Sequence, residues 1–198
     1  MHFRRRLLIL ALMVNLAGPA ASATPTLRLA GTAPSPMAEA VQRRALARAA
    51  AMGLNDAEVF GTPSLIVRGA TVIAALVSGR ATDARLDGHE KTCFLAIVLP
   101  GAAVPDLLLT VGRWPWADEN CHGYNLLGQL PGLPDAVRIG VIYDGAAPNA
   151  THTEPVVVLW REGRPLEVDF SATQRCASAG AATLAEMRRL TAPPPGSP

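Results

Sequence analysis

Two hydrophobic rhythms divide the chain. Between Ser35 and Met52 the apolar positions Met37, Val41, Ala45, Ala49 and Met52 recur at helical spacing. Ser35 suits a helix cap, and Pro36 suits the first turn, where no amide hydrogen is needed. Glu39 and Arg43 stand one turn apart on a second face, and Gly53 offers a stop. The pattern predicts a helix with the apolar stripe turned inward.

From Leu65 the rhythm becomes that of strands. The segments "LIVRG", "ATVIAALVSG", "KTCFLAIVL", "DLLLTVG", "VRIGVIYDG", "PVVVLW" and "PLEVDF" are rich in branched residues. Gly, Pro and Asp clusters separate them, and "WREGRPL" reads as a hairpin connection. The connections are too short for helical crossovers, so neighbouring strands should be antiparallel. "FLAIV" and "VVVLW" are apolar at every position, which implies cover on both faces. A second, shorter helix fits Ala181 to Leu190, with Arg188 and Arg189 at its C-terminal end.

These elements predict an α+β fold formed as a single domain over residues 35–192. A long N-terminal helix would pack on a curved, mostly antiparallel sheet of about six or seven strands, followed by a short C-terminal helix. Residues 24–34 read as an extended lead-in, and residues 193–198, "PPPGSP", as a disordered tail.

The N-terminus changes the picture of compartment. "MHFRRRLLILALMVNLAGPAASA" joins three arginines to an apolar run from Leu7 to Leu16 and then Ala21-Ser22-Ala23. That is the layout of a signal peptide over residues 1–23, cleaved after Ala23. A membrane helix needs about 20 apolar residues, so no membrane span is expected after cleavage. The expected destination is periplasmic or secreted, in a bacterium with an Arg-rich, Lys-poor composition; Lys91 is the only lysine.

Charge follows from the same cut. The chain has 18 basic and 16 acidic side chains. Without Arg4, Arg5 and Arg6 it is close to neutral, which gives no footprint for nucleic acid.

The three cysteines carry the chemical question. In an oxidising compartment an odd count allows one bridge and one spare thiol. Cys93 sits in an apolar strand segment, where a free cysteine behaves as a small hydrophobe. Cys121 in "DENCHG" and Cys176 in "TQRCAS" have polar, loop-like surroundings, so a Cys121–Cys176 disulfide is the favoured pairing, with Cys93–Cys121 and Cys93–Cys176 as the alternatives.

The alternative makes Cys121 a nucleophile, which needs a base within reach. His122 points to the other face of a strand, leaving His89 or His152. "ENCHGYNLLG" followed by "VRIGVIYDG" loosely resembles the cysteine and histidine segments of bacterial cell-wall cysteine peptidases. Arg138 stands where the catalytic histidine would fall, and an arginine cannot act as that base. No family is recognised.

Metal chemistry finds little support. His89 with Cys93, Cys121 with His122, and His152 with Glu154 lack the spacing of a zinc site, so no metal is expected. There is no phosphate loop, haem attachment or paired redox motif, hence no cofactor.

Trp114-Pro115-Trp116 beside Arg113 is the last feature. Exposed, these side chains would make a stacking platform for a peptide, a saccharide or an envelope protein; buried, they would lock the loop onto the sheet edge. The sequence reading is a non-catalytic binding or scaffolding protein of the envelope, with the long loop from Pro100 to Pro134, which holds Arg113, Trp114, Trp116 and Cys121, as its contact surface. Two alternatives stand beside it. One is a cysteine hydrolase using Cys121. The other is a small-ligand protein with a cavity lined by Ile73, Leu95, Ile97 and Ile142.

Overall fold

The computed structural model describes residues 27–32, 35–67, 70–81, 91–98, 106–111, 120–147, 150–161 and 163–193. The expected signal peptide and the residues of the expected tail beyond Pro193 lie outside the described residues.

Among the described residues, ten strands and three helices form two antiparallel sheets with helical cover. The first sheet holds β1 (Leu27–Thr32), β3 (Pro63–Val67), β4 (Ala70–Ala81), β5 (Lys91–Val98) and β6 (Asp106–Leu109) in that spatial order. The remaining strand, β2 (Leu54–Gly61), also pairs with β4. The twelve-residue β4 is long enough to serve β3 with its first half and β2 with its second. The second sheet runs β10 (Glu167–Val168), β9 (Ala150–Trp160), β8 (Ala136–Ala147), β7 (Asn120–Leu133).

This overturns the expected single sheet of six or seven strands. It also replaces the one C-terminal helix by two, α2 (Phe170–Ser178) and α3 (Leu184–Thr191). The stretch read as an extended lead-in contains β1, and the second half of the loop expected from Pro100 to Pro134 is strand β7, paired along β8.

The packing explains why several strands lack alternation. Along β4 and β5, Ala74, Leu76, Cys93, Leu95 and Ile97 face the second sheet. Their neighbours Ala75, Val77, Phe94 and Ala96 face α1 (Ser35–Ala51). On the second sheet Val137, Ile139, Val141, Val156 and Val158 point inward, whereas Leu130, Ile142 and Val157 meet α2 and α3. Four layers result, helix on sheet on sheet on helices, so both faces of these strands are dry.

The helices are fixed by local chemistry. On α1 the buried stripe is Ala38, Val41, Ala45 and Ala49, while Met37 and Met52 at the two ends stay exposed. The side chain of Asp169 caps α2 by accepting the Ala172 amide. Thr183 and Glu186 form a reciprocal capping box on α3.

Arg138 on β8 ties both C-terminal helices to the sheet. Its Nη2 lies 3.0 Å from Asp169 Oδ2, and its Nη1 donates to the Thr191 carbonyl at 3.3 Å. Gly128 lets α3 approach closely, because a side chain there would meet Leu184 at 2.7 Å. The Arg188 guanidinium donates to the Gln129 carbonyl on the open edge of β7, covering a group that another strand could pair.

Strand β7 runs across the first sheet instead of along it. Cys121 meets Cys93 on β5, and three residues later the Tyr124 hydroxyl fills the space over Gly61 at the end of β2. Strands β2 and β5 flank β4 and so lie about 9.6 Å apart, close to the reach of three extended residues. A wide crossing angle is one of the two ways in which sheets stack.

Candidate functional site: the Cys93 clamp

One residue of β5 gathers the chain on both sides of segment 112–119. The Cys93 amide donates to the Val111 carbonyl at 2.8 Å. Its carbonyl accepts from the Thr110 amide and from the Thr110 hydroxyl, each at 2.8 Å. Its sulfur is joined to Cys121, with the two Cα atoms 5.5 Å apart, inside the range disulfides adopt. Two residues away, the Lys91 amide donates to the Asn120 side chain at 2.9 Å.

Val111 on one side of the segment, and Asn120 and Cys121 on the other, are therefore all held on one short stretch of β5. Arg113, Trp114 and Trp116 fall between those points and lie outside the described residues, as does His89.

The disulfide is Cys93–Cys121, not Cys121–Cys176. Cys121 points into the space between the sheets, where it is fully buried with Cys93. Cys176 is also fully buried, but on α2, against the opposite face of the second sheet with Ile142, Val157 and Met187. The sheet itself separates the two. Burial raises the Cys176 thiol above its ordinary value, the nearby Arg175 charge opposing this in part, so it is a poor nucleophile there.

The signal for the true pairing was the phase of β5. Cys93 shares the inward phase of Leu95 and Ile97, so it looks onto another sheet, which can bring its own cysteine.

The residues around the bridge are polar for a core. The side chain of Tyr143 is fully buried, and burial pushes its hydroxyl well above the usual tyrosine range. That hydroxyl lies beside Thr110 without a hydrogen bond of normal geometry. Cys121, Gly145 and His152 form one row across β7, β8 and β9. The His152 ring occupies the space above Gly145, its Nε2 only 2.8 Å from where a side chain carbon would stand.

The row brings together Cys121 and His152, the two described residues of the hydrolase reading. The sulfur, however, is taken by Cys93, and a disulfide sulfur is not a thiolate. Arg138, at the position of the missing histidine, serves as the tie between helices described above.

The cavity reading meets a similar obstacle. Leu95 and Ile97 belong to the cluster between the sheets, but Ile142 belongs to the cluster beneath α2 and α3. Ile73 pairs through its backbone with Ser64 and Val98. Ile142 therefore shares no interior space with Leu95 and Ile97.

Among the described residues, no group of three or more His, Cys, Asp or Glu side chains could hold a metal ion. No described helix is long and apolar enough to cross a membrane. No family model, curated protein or solved structure matches the chain.

Proposed function

We propose that the chain is an exported envelope protein of non-catalytic binding or scaffolding type, which presents residues 112–119 to a partner. The observation that carries this reading is the clamp at Cys93. Binding residues commonly sit on loops that a rigid scaffold positions, and holding both ends of a loop lowers the entropy lost when it binds. The Cys93–Cys121 bridge also fits an oxidising compartment, in line with the signal-like N-terminus. Arg113, Trp114 and Trp116 supply cationic and aromatic surface suited to a peptide, a saccharide or an envelope protein.

The test is retention of the mature chain on purified cell-wall glycan and on immobilised envelope proteins. Wild type should be retained on one of the two. W114A/W116A should lose retention while keeping its circular dichroism spectrum. Retention unchanged in W114A/W116A, or no retention of wild type on either, would contradict the proposal.

A further inference from the structure

Helices α2 and α3 form an open groove of about 490 Å³ on the side of the second sheet away from the Cys93 clamp. Ser171, Gln174, Arg175 and Ser178 line it from α2, with Ala179 and Leu190 completing the walls. The four polar residues follow helical spacing and form one face, while Ala172, Thr173 and Cys176 turn to the sheet. We infer that this groove binds a small sugar acid, a polyhydroxylated ring carrying a carboxylate.

The charge comes first. Among the described residues, Arg175 is the one charged side chain lining the groove. Its Nη1 donates to the Ser171 hydroxyl oxygen at 2.7 Å, which holds the guanidinium in place. Its other N–H groups remain for a carboxylate, which matches the planar fork of an arginine. Two charges of α3 are already engaged, and Arg189, beside Leu190, has the same sign as Arg175. Arg188 bonds the Gln129 carbonyl, and the Glu186 carboxylate accepts from Ala182 and Thr183 at the start of α3. Arg175 therefore sets the sign of the groove.

The neutral groups then select for hydroxyls. Ser171 keeps its own hydroxyl proton, Ser178 offers a second hydroxyl, and the Gln174 amide both donates and accepts. The volume suits a single ring, within the usual range of ligand sites. The site is independent of the Cys93 clamp, and neither proposal needs the other.

Glucuronate is the probe, titrated into ¹⁵N-labelled mature protein and followed by amide chemical shifts. An open groove and a ligand of this size predict a Kd of about 1 mM. Saturable shifts should appear on Ser171, Gln174, Arg175 and Ser178. R175Q, with unchanged spectral dispersion, should bind at least about tenfold more weakly. Should R175Q fail to fold, S178A takes its place, with an expected weakening of about threefold for a lost neutral hydrogen bond. Glucose and inorganic phosphate are the controls, and each should bind at least about tenfold more weakly than glucuronate. The inference is overturned if glucuronate gives no saturable shift, if either control matches it, or if the substituted protein binds as wild type does.

Discussion

Removing the Cys93–Cys121 bridge should cost the protein several kcal/mol, because the bridge closes a loop across two sheets. The cysteines are 28 positions apart, and the chain-entropy relation for a loop of that length gives about 3.6 kcal/mol. The double variant C93A/C121A also leaves small voids where two fully buried sulfurs stood, which adds to the loss. For a domain of this size the entropic loss alone corresponds to a fall in Tm of roughly 7–14 °C.

The assay is urea unfolding of oxidised wild type, C93A/C121A and C176A. C176A removes a buried thiol without touching the bridge, and should cost about 1–2 kcal/mol. C93A/C121A should cost at least about 3 kcal/mol. The reasoning fails if C93A/C121A lies within about 1 kcal/mol of wild type. It fails equally if C176A shows the larger loss, since that would place the bridge at Cys176.

Three further outcomes follow from other parts of the fold. R138A should destabilise by about 2–3 kcal/mol in chemical denaturation, less than a fully buried ion pair, since both partners keep some exposure (13% and 12%); an unchanged midpoint would remove its role as a tie. G128V should cost about 1–3 kcal/mol by pushing against Leu184, and faster amide exchange in α3 should accompany it. The Thr183 hydroxyl and the adjacent backbone amides hold the Glu186 carboxyl below its ordinary value of 4.5. That contribution to stability is present above pH 4.5 and is lost as pH falls through the lowered value in the folded protein. E186Q should therefore show a shallower loss of stability below pH 4.5 than wild type in acid titration followed by circular dichroism.

Parts of this architecture are legible in the sequence. The recurrence of Val41, Ala45 and Ala49 marks the buried stripe of α1, and Ser35-Pro36 marks its start. The unbroken apolar runs in β5 and β9 require cover on both faces. Nothing in those runs says whether a helix or a second sheet supplies it, and so one sheet was expected where there are two.

Strand β2, "LNDAEVFG", was missed because its Asn and Asp are turn formers. They sit at an irregularity, where Asp56 takes a positive φ and the pairing with β4 shifts register. Helix α2 was missed because only Ala172, Thr173 and Cys176 face inward, too few and too small to make an apolar stripe. The cysteine pairing went astray for the same reason. Cys176 looked like a loop residue until α2 buried it, and polar surroundings in sequence say little about which sheet face a side chain meets.

The most direct measurement is a thiol map of the mature protein purified from an oxidising compartment. The folded protein is alkylated without reduction, digested, and the cross-linked and labelled peptides are identified by mass. The account predicts a disulfide-linked Cys93–Cys121 peptide, with Cys176 labelled only after unfolding. A Cys121–Cys176 peptide, or rapid labelling of Cys121 in the folded state, would contradict the clamp and the proposal built on it.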